Sequence, residues 1–203
     1  MTIKLYHCKR ARSMRPLWTL LEMGLEHELV TLPFPPRVFQ KDYLAVNPLG
    51  TVPCMLDGDV VMTESAGICQ YLVDRYGPTP LAVGRDEHDY GAYLNWLHRS
   101  DATLTFPQTL VLRYTQLEPE ERRNPQVASD YRKWFLGRVR CVEDALAHRT
   151  YLCAERFTIA DIAVGYALVL ARQLGIEEAF TPNIARWFGV LSERPAFKLA
   201  FDR

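Results

Sequence analysis

The 203-residue sequence predicts an α/β domain followed by an all-helical one, and three observations carry that expectation. Strand and helix signals alternate over the first 76 residues. A break rich in proline and glycine, Gly77-Pro78-Thr79-Pro80-Leu81 on to Gly84, then interrupts the chain, and no helix continues through it. Beyond it strand signals vanish. The expected organisation is a first domain over 1–77, a linker over 78–86 and a helical domain over 87–203.

Within the first domain, Ile3 to Tyr6 alternates as a short strand. Leu17 to Met23 is helical, with Pro16 tolerable in its first turn and Gly24 just past its end. Glu28 to Leu32 is a second strand, and the helix between the two predicts that they run parallel. Pro33, Pro35 and Pro36 break regularity before a helical turn over Val38 to Leu44. Val52 to Leu56 and Val60 to Thr63 flank Asp57-Gly58, a strong hairpin signal. Ala66 to Tyr76 follows as a helix with Ile68, Tyr71 and Leu72 on one face, and Gly77 ends it. The order β-α-β, helical turn, β-β-α resembles a thioredoxin-like domain. In the second domain the helical segments are Glu87 to Leu117, kinked at Pro107, then Ala128 to Ala147, Ile159 to Leu174 and Pro182 to Ser192. A short turn follows Pro195. Thr158-Ile159-Ala160-Asp161 is a capping-box pattern, with Phe157 and Ile162 spaced as a hydrophobic staple.

Composition excludes several functions. Lysine plus arginine equals aspartate plus glutamate at 24 each, so nothing favours a nucleic-acid surface. No apolar run approaches the roughly 18 residues of a membrane span, and the first residues lack the apolar stretch of a signal peptide. The five cysteines (Cys8, Cys54, Cys69, Cys141 and Cys153) are odd in number and scattered, without a CxxC pair. That pattern suits reduced thiols in a cytoplasm, and neither a disulfide framework nor a zinc site is expected. His7, His27, His88, His98 and His148 show no ligand-like spacing, so no metal is expected.

The stretch Asn47-Pro48-Leu49-Gly50-Thr51-Val52-Pro53 places a non-donor where a strand begins. An ordinary proline at a strand's first position is one reading; the rim of a peptide site is the other. Glu64-Ser65 then opens a helix, where amide groups point outward with a partial positive charge. Ser65 and those amides suit a carboxylate and Glu64 suits an ammonium group, whereas an N-cap with a neighbouring acid is the commoner use of such residues.

Together with the capping box and the two-domain layout, these motifs resemble the glutathione S-transferase superfamily over essentially the whole chain, in particular its theta-like bacterial members. The resemblance implies a cis Val52-Pro53 bond that leaves the main chain of Val52 free to pair with glutathione as an added strand. It also implies glutathione binding at Val52, Pro53, Glu64 and Ser65, and a homodimer in which Asp101 reaches the glutamyl ammonium in the partner's site. Phe106 and Tyr114 would line the pocket of a hydrophobic electrophile.

The thiol-activating group is where the pattern departs from the family. A thiol that titrates near 8.5 needs roughly 3 kcal/mol of selective anion stabilisation to fall by about two pH units. In serine-using members the hydroxyl stands four residues before an arginine resembling Arg15, and Ala11 occupies that position here. Ser13 is the nearest hydroxyl and would reach the sulfur or cap the first helix. Tyr6 lies where tyrosine-using members place their donor, or is packed. Cys8 comes too early for the cysteine-using classes, and Lys9, Arg10 and Arg12 add positive potential. The expected activity is conjugation of glutathione to a hydrophobic electrophile, with peroxidase activity in addition. A non-catalytic binding member of the fold and a glutathione-dependent disulfide reductase stand as alternatives.

Overall fold

The structure, a computed structural model, describes residues 2–203. The chain forms two compact units, one running to Ala82 and taking in Ser192–Arg203, the other Val83–Leu191. The first unit contains β1 (Ile3–His7), α1 (Met14–Glu22), β2 (His27–Thr31), the single turn α2 (Pro36–Phe39), a 3₁₀ turn at Lys41–Ala45, β3 (Cys54–Asp57), β4 (Val60–Met62) and α3 (Ser65–Tyr76). Its sheet has the order β2-β1-β3-β4, with β1 parallel to β2 and antiparallel to β3, and β3 antiparallel to β4.

The first strand alternates as the sequence implies, burying Ile3, Leu5 and His7 against one layer. The next element, α1, is buried from Met14 through Leu20 and begins three residues earlier than the periodicity suggested, because Pro16 falls in its first turn where no amide donor is needed. The β3–β4 hairpin pairs Asp57 with Val60, and Gly58 supplies the positive φ of 58° that the tight turn requires. Asp57 then accepts hydrogen bonds from the hydroxyls of Tyr71 (2.8 Å) and Tyr76 (2.6 Å), tying the hairpin to α3. Strand β3 starts at Cys54, so Val52 and Pro53 stand just outside the ladder.

The second unit is helical: α4 (Tyr90–Arg99), α5 (Phe106–Leu112), α6 (Pro125–Ala145), α7 (Ile159–Gln173) and α8 (Pro182–Ser192). The expected helix over 87–117 is divided by two wide π-helical turns, Ser100–Thr105 and Arg113–Leu117. Pro107 follows the first of these π-helical turns directly, within the continuing helical run.

The helix α7 is the centre of this unit, buried continuously from Ile159 to Ala171, and it is correspondingly apolar on all sides. The expected capping box forms there: Thr158 Oγ1 accepts from the Ala160 amide at 3.2 Å and Asp161 Oδ2 accepts from the Thr158 amide at 2.9 Å. Asp161 Oδ1 also accepts from the Leu152 amide and from Trp187 Nε1, each at 3.0 Å, which joins α7 to α8. Glu143 on α6 caps α8 from outside, accepting from the Asn183 and Ile184 amides and the Thr181 hydroxyl.

A last helix, α9 (Pro195–Asp202), corrects the expected division of the chain. The sequence reading left 192–203 with the helical domain, whereas this segment groups with the first unit. The reason is aromatic and ionic: Phe197 meets Trp18 edge-on at 5.0 Å between ring centroids, and Arg194 makes a two-pronged ion pair with Glu22 at 2.6 and 2.7 Å.

Candidate functional site

Three chain segments of the first unit define the site: the approach to β3, the start of α3 and the β1–α1 turn. The approach is held from behind. The Thr51 carbonyl accepts from Asn47 Nδ2 (2.8 Å) and from the Tyr43 hydroxyl (2.7 Å), and Asn47 Oδ1 accepts from the Leu49 amide (3.1 Å). Gly50, at φ 60°, passes so close to Arg37 that an added Cβ would meet the Arg37 Cβ at 2.6 Å. The following Val52-Pro53 bond is cis, as are those before Pro35 and Pro78. The Val52 side chain packs with Cys8, Tyr43 and Cys54. Among the described residues, neither its N–H nor its C=O makes a main-chain hydrogen bond, since pairing with β1 begins at Cys54 opposite Tyr6.

At the start of α3 the first intrahelical bond runs from the Ile68 amide to the Glu64 carbonyl (2.8 Å), so the amides of the first turn precede the ladder and carry the positive end of the helix. Glu64 is exposed in the N-cap position, without a side-chain cap bond. Ser65 is the first residue of α3. It is fully buried, and its Oγ accepts from Arg15 Nη1 at 2.9 Å.

In the β1–α1 turn the structure corrects the sequence reading of Ser13. Its side chain is fully buried, neither caps α1 nor faces outward, and is held at 2.9 Å from His7 Nδ1 and 3.1 Å from the Cys8 amide that donates to it. Burial lowers the His7 pKa to about 4, so the imidazole is neutral; the Arg203 main chain approaches the ring without giving Nε2 a hydrogen bond of normal geometry. Cys8 is buried too, its thiol donating to the Pro33 carbonyl at 3.6 Å, and burial pushes its pKa up to about 12. A thiol so placed is not a nucleophile. Tyr6 is half-buried, its ring tilted against Tyr43 at 5.3 Å, and among the described residues its hydroxyl has no hydrogen-bond partner. The amides of Arg12 and Ser13, ahead of α1, likewise make no main-chain hydrogen bond among the described residues. Arg10 adopts a left-handed φ of 57° and lays its guanidinium over the Phe201 ring, 4.4 Å from the centroid.

Two family models match the chain: the glutathione S-transferase N-terminal domain over residues 11–75 and the C-terminal domain over 132–189. The glutathione S-transferase hmp2 of Hypomyces subiculosus is 30% identical, over 96% of this chain and 95% of its own. The chain belongs to the glutathione S-transferase family. Among solved structures, that of BphK, a bacterial glutathione S-transferase in a ternary complex, superposes with a TM-score of 0.86 at 27% identity, covering 98% of each chain. Ure2p5 of Phanerochaete chrysosporium, cocrystallised with 1-(S-glutathionyl)-2,4-dinitrobenzene, superposes with a TM-score of 0.84 at 26% identity, over 99% of this chain and 93% of that one.

Membership of this transferase family makes the β1–α1 turn the informative departure. Ala11, where the resemblance leads one to expect a serine, donates its amide to the Cys8 carbonyl (3.1 Å), and the neighbouring hydroxyl of Ser13 is turned into the interior. Arg15, noticed in the sequence only as a landmark, proves to be a fully buried guanidinium beneath α3. It lies within the run Met14 to Leu20, over which α1 is buried on every side.

In the second unit, Asp101 lies half-buried in the first π-helical turn, Phe106 is 56% exposed, and Tyr114 has the Arg113 guanidinium 5.6 Å from its ring. No helix among the described residues is long and apolar enough to cross a membrane, and no group of three or more metal-ligating side chains occurs among them.

Proposed function

We propose that this protein binds glutathione along Val52 and over the start of α3, and conjugates its thiolate to a hydrophobic electrophile. The observation that carries the reading is the Val52 main-chain pair, unengaged among the described residues, in the same unit as the outward amides of α3 and the exposed carboxylate of Glu64. An extended peptide pairs with such a residue as an added strand would, and its charged γ-glutamyl end suits an amide-rich helix start beside an acid. The Ure2p5 neighbour held 1-(S-glutathionyl)-2,4-dinitrobenzene, the product expected when a glutathione thiolate displaces a leaving group from an activated ring.

With Ser13 turned inward, thiolate stabilisation falls to what remains at the turn. That is the Tyr6 hydroxyl, the amides of Arg12 and Ser13, and the positive field of Lys9, Arg10 and Arg12. Donors already in place where charge develops need no rearrangement when the thiol ionises, and this is the physical basis of such activation. The protein would act as a cytoplasmic homodimer, with Asp101 reaching the glutamyl ammonium in the neighbouring subunit.

The test is direct. Calorimetric titration with glutathione, together with turnover of chlorodinitrobenzene and cumene hydroperoxide, should show binding and catalysis. Glu64→Gln should weaken binding by about 1–3 kcal/mol, as loss of a charge-assisted hydrogen bond does; wild-type affinity in that variant removes the assignment. A second reading, a binding or regulatory member without chemistry, is favoured by Ala11 and the sequestered Ser13. It requires glutathione binding with no turnover of either substrate.

A further inference from the structure

We propose that Phe201 on α9 is a positioning residue for the thiol end of the site, holding Arg10 in the left-handed conformation that shapes the β1–α1 turn. The inference rests on the glutathione reading above and assigns that end of the site a support outside the turn. The turn is closed by the Ala11 amide donating to the Cys8 carbonyl at 3.1 Å, which makes Arg10 its third residue. A positive φ at that place calls for glycine or asparagine, because a larger side chain crowds its own backbone there. Arg10 nevertheless holds a φ of 57°, the one positive value at a non-glycine residue among the described residues of the first unit. A strained residue persists where its surroundings over-determine it, and such outliers gather at functional sites.

Those surroundings include α9. The Arg10 guanidinium lies over the Phe201 ring at 4.4 Å from its centroid, a cation–π contact. Phe201 stacks on Phe197, one turn earlier on α9, at 5.9 Å, and Phe197 meets Trp18 of α1 edge-on at 5.0 Å. The ion pair of Arg194 with Glu22 fixes the start of α9 to the end of α1. Arg10, Phe201, Phe197 and Trp18 thus form a line of contacts that starts in the turn and returns to the helix the turn opens. The Arg203 main chain, at the end of α9, approaches the His7 ring of β1, so α9 reaches the strand side of the turn as well. Downstream of Arg10, the Ala11 and Arg12 carbonyls accept from the Met14 and Arg15 amides at 2.9 and 3.2 Å, which carries the direction of the turn into α1. The Arg12 and Ser13 amides lie in between, so a rotation at Arg10 re-aims the main-chain donors assigned to the sulfur.

The experiment reads the pKa of bound glutathione from thiolate absorbance and the turnover of chlorodinitrobenzene at pH 6.5. Calorimetry with S-methylglutathione, which carries no ionisable sulfur, reads the rest of the site. Phe201→Ala leaves every charge of the turn in place. It should raise the pKa of the bound thiol by about half to one pH unit and lower turnover roughly 3- to 10-fold, with S-methylglutathione bound as in wild type. Position 10 separates backbone from charge: Arg10→Gly and Arg10→Ala both remove the guanidinium, but only alanine is strained at a positive φ. Turnover in Arg10→Ala should therefore fall about 3- to 10-fold below that in Arg10→Gly. Adding Phe201→Ala to Arg10→Gly should cost less than about 2-fold, because the residue it supports no longer needs support. Should Phe201→Ala not fold, Phe201→Leu keeps an apolar side chain without the ring face and takes its place in the same comparisons. Wild-type pKa and turnover in Phe201→Ala, weakened S-methylglutathione binding, equal turnover in the two Arg10 variants, or a full loss on adding Phe201→Ala to Arg10→Gly each overturns the role of Phe201. So does a wild-type protein that binds glutathione with its thiol at the free pKa, an outcome that leaves glutathione binding intact. A wild-type protein that binds neither glutathione nor S-methylglutathione sinks the glutathione reading and this inference with it.

Discussion

Two buried titrating groups should pull the stability of this protein in opposite directions with pH. His7, fully buried beside Ser13, has its pKa lowered from 6.5 to about 4 by burial. The unfolded chain takes up a proton below pH 6.5 that the folded protein refuses, so this contribution is present above pH 6.5 and is lost as pH falls toward 4. At about 1.4 kcal/mol per pH unit the full loss is about 3 kcal/mol. Asp161, fully buried at the start of α7, behaves oppositely: burial raises its pKa from 3.8 to about 6 although Leu152, Thr158 and Trp187 all donate to it. The folded protein keeps a proton that the unfolded chain releases near 3.8, so this contribution is present below that pH and is lost as pH rises toward 6, again by about 3 kcal/mol. At pH 5 the histidine has removed about 2 kcal/mol and the aspartate still supplies a little over 1, so on one cooperative transition they nearly cancel.

Urea unfolding of His7→Asn and Asp161→Asn at pH 5, 6 and 7.5 separates them, with each variant read as a difference from wild type so that surface carboxylates drop out. Asparagine keeps a polar atom near the place of His7 Nδ1 and near the Asp161 oxygens, without titrating in this range. The gain in stability between pH 5 and 7.5 should fall by about 2 kcal/mol in His7→Asn and rise by about 1 kcal/mol in Asp161→Asn. Difference curves that run parallel to wild type in both variants would refute the linkage, whatever the absolute stabilities.

At the thiol end, Tyr6→Phe should raise the pKa of bound glutathione, read from thiolate absorbance, and lower chlorodinitrobenzene turnover by roughly 10- to 1000-fold if the hydroxyl is the donor; an unchanged pKa assigns activation to the amides of Arg12 and Ser13. Cys8→Ser should leave transferase and disulfide-reducing activities at wild-type level, because that thiol is buried and its pKa is pushed up to about 12. Loss of disulfide reduction alone would revive the protein-thiol reductase that the geometry argues against.

How far the sequence could be read depended on whether a residue's role is set by neighbours in the chain or by partners across it. The βαβ start, the Asp57-Gly58 hairpin and the Thr158–Asp161 box are local devices whose turn chemistry and caps act within a few residues, and each formed where its pattern stood. Ser13 is the instructive failure. Its position before an apolar helical run reads as a thiol donor or a cap, yet that reading cannot know that β1 carries His7 inward on the same face as Ile3 and Leu5, where the hydroxyl finds the imidazole and the Cys8 amide. Arg15 and Ser65 are fifty positions apart and meet through the packing of α1 on α3, which no spacing rule reports. The same holds for α9, whose Phe197 ring meets Trp18 of α1. The Ser13–His7 and Arg15–Ser65 partnerships each place polar groups in the interior. The chemistry proposed for a ligand is then main chain: the Val52 pair and the amides that open α1 and α3. A site made that way would keep its scaffold when side-chain hydroxyls are lost, and with Ala11 and the inward Ser13 in the β1–α1 turn the proposed activating group is one to be found by titration.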